Sequence, residues 1–136
     1  MPSFPASVDA GERLLSELDH RRLSRLPDAC GHPPLQDLLD AAELLPPRQL
    51  PADVVSMNSE IEVLGPRPGQ QQRLTLCYPA DARPEQGRIS VLSPVGLSLL
   101  GRAVGQRVSW HAGRASGQLL IQALPYQPEA RGDFDR

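Results

Sequence analysis

The sequence predicts an α+β chain in two parts. Residues 1–50 form a short antiparallel helical hairpin, and residues 51–136 a small, mostly antiparallel sheet carrying one short helix. Three observations lead there. Leucines recur at helical spacing before Pro46. After the linker "PRQLPAD" the apolar period changes to two. Fifteen prolines and eleven glycines exclude long helices, the longest stretch free of both running from Glu12 to Leu26.

Each element follows in order. Asp9 is a helix cap with Glu12 three residues on, and Leu14, Leu15 and Leu18 form an apolar stripe. Helix one is therefore expected from Asp9 to about His20, with Leu23 and Leu26 extending it or lying in the loop. "RLPDACGHPP" is a loop, because three prolines and a glycine break helical pairing. Helix two is expected to start near Pro34, with Leu35, Leu38, Leu39, Ala42 and Leu45 on one face, and to stop at Pro46-Pro47. In "DVVSMNSEIEVL", Ile61 and Val63 alternate with Glu60 and Glu62. "GPRPG" turns the chain into "QRLTLCYP", completing a β-hairpin. "RISVL", "QRVSWHA" and "QLLIQAL" are further strands, and "PYQPEARGDFDR" is a tail.

The bulk chemistry narrows the function. A net charge of −2 leaves no basic stripe for a free-standing nucleic-acid binder, and stacking aromatics are scarce. No apolar run approaches the roughly 20 residues that span a bilayer. "MPSFPASVDA" has neither the basic start nor the apolar core of a secretory signal, so a cytoplasmic location is expected. His20, Cys30 and His32 lack a fourth nearby ligand and a zinc spacing, and Cys77 lies apart in a strand; no metal or cofactor is expected.

The most tightly punctuated segment runs from Val91 to Trp110. Ser93 can cap a short helix whose first position is Pro94. Gly101 falls where a left-handed residue closes that helix, and Gly105-Gln106 turns the chain into the strand holding Val108 and Trp110. Overlapping it, "ISVLSPVGLSLLGRAVGQRV" resembles the signature of the C-terminal domain of the Gre family of bacterial transcription factors, with Gln106 where the family often has Asp. "LPADVVSMNSEIEV", "LCYPA" and "YQPEARGDF" resemble a short member of that family that binds RNA polymerase. The likeness runs from about Leu50 to Phe134.

The resemblance implies an FKBP-like sheet domain preceded by a coiled-coil hairpin. It implies docking at the rim of the polymerase secondary channel through Ser93, Pro94, Val95 and Gly96. Family members that stimulate transcript cleavage carry two acids at the hairpin tip to help hold magnesium. Here the tip loop offers Asp28, with Asp19 and Glu17 lower on helix one. The expectation is a monomeric, non-enzymatic regulator that competes with Gre-type factors, does not stimulate cleavage and makes no sequence-specific nucleic-acid contact. Two alternatives stand beside it. One is an active cleavage factor. The other is an FKBP-like prolyl isomerase, which needs an aromatic-lined pocket, whereas Tyr78 and Trp110 alone lie within the sheet.

Overall fold

A computed structural model of the chain describes residues 13–27, 31–65, 67 and 69–133. The front part comprises strand β1 (Leu14–Ser16), helix α1 (Glu17–Ser24), helix α2 (Pro33–Ala41) and strand β2 (Glu43–Leu45). β1 and β2 pair in parallel, Leu14 opposite Glu43 and Ser16 opposite Leu45. The rest comprises β3 (Glu60–Leu64), β4 (Gln71–Cys77), β5 (Arg88–Ser90), helix α3 (Pro94–Leu99), β6 (Arg107–Ala112), β7 (Ala115–Tyr126) and a short helix α4 (Pro128–Arg131). These five strands form a sheet in the order β5-β4-β3-β7-β6.

Period-two patterning explains the sheet. Ile61 and Val63 of β3 are fully buried, while Glu60 and Glu62 alternate with them. On the other face, Glu62 stands opposite Arg73 of β4, and their side chains pair at 2.7 Å. β3 is central because β7 pairs with its other edge, with register shifts between Glu60 and Val63. β4 and β5 run parallel, Thr75 opposite Arg88, and the crossover between them places Ser90 next to α3.

One hydrophobic cluster spans both parts of the chain. Leu15, Leu23, Leu35, Leu38 and Leu39 from the front join Ile61, Leu76, Val91, Leu99, Leu100 and Ile121. The helical apolar faces therefore pack on the sheet as well as on each other. No helix among the described residues is long and apolar enough to cross a membrane.

The front part departs from the sequence reading in two ways. The described part of helix one does not contain Leu14 or Leu15, which lie in β1; α1 starts at Glu17. Its cap is Ser16, whose hydroxyl accepts from the Asp19 amide at 3.0 Å. Asp9 and Glu12 lie outside the described residues. Helix two begins at Pro33 and ends at Ala41 rather than running to Leu45. Ala42 turns extended, and the Glu43 amide donates to the Arg13 carbonyl at 2.9 Å, drawing the chain into β2 well before Pro46. In both places a strand pairing between remote segments overrides a local helical pattern. The tail also carries structure. Pro128 is buried in α4, and Gln127 Nε2 donates to the carbonyls of Pro51 and Val54.

Candidate functional site

The Ser93–Gly96 corner forms where β5 passes into α3. Ser93 has extended backbone, and its hydroxyl accepts from the Gly96 amide at 3.1 Å. The same hydroxyl donates to the Ser90 carbonyl at 2.7 Å, and the Ser93 amide reaches that carbonyl at 3.0 Å. Ser90 in turn accepts the Leu92 amide on its own hydroxyl. Gly96 is the tightest point: a Cβ there would lie 2.1 Å from the Ser90 carbonyl oxygen. Ser-Pro-x-Gly is thus a packing requirement as well as a cap and a turn. Gly101, at φ +80°, closes the far end of α3, as the sequence predicts.

Pro94 is exposed at the tip of the corner and Val95 is half-buried beside it. Beneath them lies an apolar hollow of about 330 Å³ lined by Ala82, Pro84, Ile89, Val95, Trp110 and Ala112, among others. Pro94 also borders a second groove of about 540 Å³, whose other walls include Arg13 and residues of α2. Pro94 thus stands exposed between two hollows. Arg13, His32, Asp37 and His111 are the charged and titratable residues among the described lining of that second groove.

The C-terminal end of α3 is held from the front part. Arg13 Nη1 donates to the carbonyls of Leu97 and, at 2.9 Å, Leu100. The Leu14 amide donates to the Gly101 carbonyl at 3.1 Å. Burial and the neighbouring Arg102 guanidinium pull Arg13 down to about 10, so it remains a cation at neutral pH.

A second polar cluster joins α1 to the sheet. Asp19 is 3% exposed, and its Oδ2 accepts from the Met57 amide at 3.0 Å. Burial pushes its carboxyl up to about 7, assisted by the Glu129 carboxylate and opposed by the Met57 hydrogen bond and Arg22. Glu129 accepts from the Ser56 hydroxyl at 2.6 Å, and Ser56 and Ser59 bond to each other at 3.0 Å. Tyr78 is pushed up to about 12 by burial, with Asp19 contributing.

Asp28 and Cys30 lie outside the described residues. Glu17 is exposed in the first turn of α1, whereas Asp19 faces inward. His20 Nε2 meets the Leu39 carbonyl at 3.1 Å, and His32 Nδ1 caps α2 by accepting the Leu35 amide at 3.3 Å. Both histidines have structural partners, and no group of three or more potential metal ligands converges among the described residues. Sequence reasoning missed Arg13, Pro84 and Ile89 as parts of this region. Ile89 and Pro84 reach it only through the parallel β4–β5 crossover, and Arg13 only through β1–β2 pairing.

Residues 50–124 match the family model described as transcription elongation factor GreA/GreB, C-terminal. The chain is 36% identical over 128 residues to the regulator of nucleoside diphosphate kinase of Escherichia coli strain K12, an alignment covering 89% of this chain and 94% of that protein. It is 36% identical over 87 residues to the transcription elongation factor GreA of Chloroflexus aggregans, covering 64% of this chain and 55% of that one. A solved structure of a prokaryotic GreA/GreB elongation factor from Nitrosomonas europaea superposes with a TM-score of 0.70 at 33% identity, covering 84% of this chain and 99% of that chain.

Proposed function

The chain belongs to the GreA/GreB family of transcription elongation factors, and on that premise we propose that it is a non-enzymatic regulator that docks on RNA polymerase at the secondary channel rim. It does so through the corner Ser93, Pro94, Val95 and Gly96, where Pro94 is the exposed contact and the buried Gly96 lets α3 pack on Ser90. The observation that carries this reading is the corner itself: an exposed Pro94, rigidly capped from below, beside an apolar hollow. The five-stranded sheet with α3 is the FKBP-like domain of this reading, and α1 and α2 are its short hairpin. The chain resembles the regulator of nucleoside diphosphate kinase over nearly its whole length. We attribute any effect on that kinase to transcription.

The hairpin argues against cleavage. At about 1.5 Å per residue, the eight residues of α1 and nine of α2 extend only about 12 and 14 Å. Metal-assisted hydrolysis needs carboxylates held at the reacting phosphate. Asp19 is committed to the Met57 amide inside the fold, leaving Asp28 as the acid of the tip loop.

Excess protein added to purified, backtracked elongation complexes is expected to leave the nascent RNA intact. It should also slow the cleavage stimulated by GreA along a single-site competition curve. Stimulated cleavage, or simultaneous occupancy of one polymerase by both factors, would overturn this reading.

A further inference from the structure

We propose that Arg13 is a positioning residue for the docking corner, through which the front part of the chain sets the orientation of α3. The inference rests on the docking role of Ser93–Gly96. It arises from the way α3 is held. A helix of six residues does not persist on its own. Its N-terminal end is fixed by Ser93, bonded to Gly96 and Ser90. Its C-terminal end is held on two sides: Val55 of the sheet part pairs with Gly101 and Arg102 just past the helix, and from the front part the Arg13 guanidinium donates to the carbonyls of Leu97 and Leu100. A cation at that end complements the helix dipole, and each bond is charge-assisted.

Two further contacts make the link directional. The backbone of the same residue accepts from Glu43 and so starts the β1–β2 ladder. A Cβ on Gly101 would lie 2.8 Å from Arg13 Cβ, so there is no slack between β1 and the end of α3. Arg13 and Pro94 also share one groove, together with Leu38 and Ala42 from the front part and Leu92 and Leu97 from the sheet part. A partner seated on Pro94 therefore bears on an element whose far end is shared between the sheet and the helical arm. Movement of the arm is transmitted to the corner, and docking at the corner restrains the arm.

The test uses the full chain and purified bacterial RNA polymerase, with affinity measured for Arg13→Met, Arg13→Lys and Pro94→Glu. Pro94 is exposed at the first helical position, where an acid is compatible with the fold, so Pro94→Glu probes docking alone. Arg13→Met should weaken binding about tenfold, a typical coupling between linked sites. Arg13→Lys keeps a cation and donors at the helix end and should stay within about threefold of the parent. Adding Arg13→Met to Pro94→Glu should cost less than the sum of the two single losses. Amide exchange should quicken at Leu97 and Leu100 in Arg13→Met while Ile61 and Val63 keep their protection. If Pro94→Glu weakens binding but Arg13→Met binds as the parent does, the positioning role is wrong and docking stands. If both Arg13 variants lose equal affinity, additively with Pro94→Glu, Arg13 acts only through global stability and the proposal fails. If Pro94→Glu binds like the parent, the docking reading falls, and this inference with it.

Discussion

Gly96→Ala is expected to lower the melting temperature by about 10 °C, corresponding to a loss of about 3 kcal/mol. The added methyl would lie 2.1 Å from the Ser90 carbonyl oxygen and 3.0 Å from its carbon, both backbone atoms that cannot rotate away. Relief requires α3 to lift from β5. That lift breaks the Ser93 hydroxyl bond to Ser90 and strips Leu99 and Leu100 from the core, where both are fully buried. Gly31→Ala is the matched control, because a Cβ there meets nothing within 4 Å. Thermal unfolding followed by circular dichroism should show a drop for Gly96→Ala and little change for Gly31→Ala. Equal melting temperatures for parent and Gly96→Ala would mean that α3 does not sit against β5 as described.

The second large effect is a pH dependence traced to Asp19. Its carboxyl is raised from 3.8 to about 7 in the folded protein, chiefly by burial. Below 3.8 both folded and unfolded states hold the proton, and Asp19 contributes no slope. Between 3.8 and 7 the folded state binds a proton that the unfolded state has released, so stability falls as pH rises. Above 7 both are ionised and the loss is complete, at most about 4 kcal/mol for a shift of this size. Asp19→Asn stays neutral and can still accept the Met57 amide. Its melting temperature should therefore lack the decline that the parent shows between pH 5 and pH 8, and at pH 8 the variant should be the more stable protein. Parallel pH profiles for the two proteins would show that Asp19 is ionised in the fold throughout that range.

These two residues also mark what the sequence made legible. The corner was readable because its chemistry is local. Ser93 caps, Pro94 starts the helix and Gly101 ends it at positive φ, each within a few residues of its partner. The alternation of Ile61 and Val63 with Glu60 and Glu62 likewise identified a half-buried strand. Asp19 was different. At the sequence level it was an acid lower on helix one than the tip loop, and its burial depends on Met57 approaching from the segment just before β3. Leu14, Leu15 and Leu45 carried a helical spacing that strand pairing overrode. The α4 segment resembled a charged tail because the partners that order it, Pro51 and Val54 for Gln127 and Ser56 for Glu129, lie far away in the chain. The apolar hollow under Pro94 had no sequence signal of its own, since its walls come from four separate segments. What was missed was in each case a contact between remote segments, which neither periodicity nor capping chemistry reports.

The most direct test of the account places a photo-cross-linking amino acid at Pro94 and, separately, at Ala130 of α4. Each protein is irradiated in complex with bacterial RNA polymerase, and the cross-linked peptides are identified by mass spectrometry. Pro94 is exposed at the corner and Ala130 is exposed on a different element. Docking through the corner requires cross-links from Pro94 to polymerase peptides at the rim of the secondary channel, suppressed by excess GreA, and none there from Ala130. Cross-links from Pro94 to another polymerase surface, or a stable complex in which Pro94 labels nothing at the rim, would contradict docking through this corner.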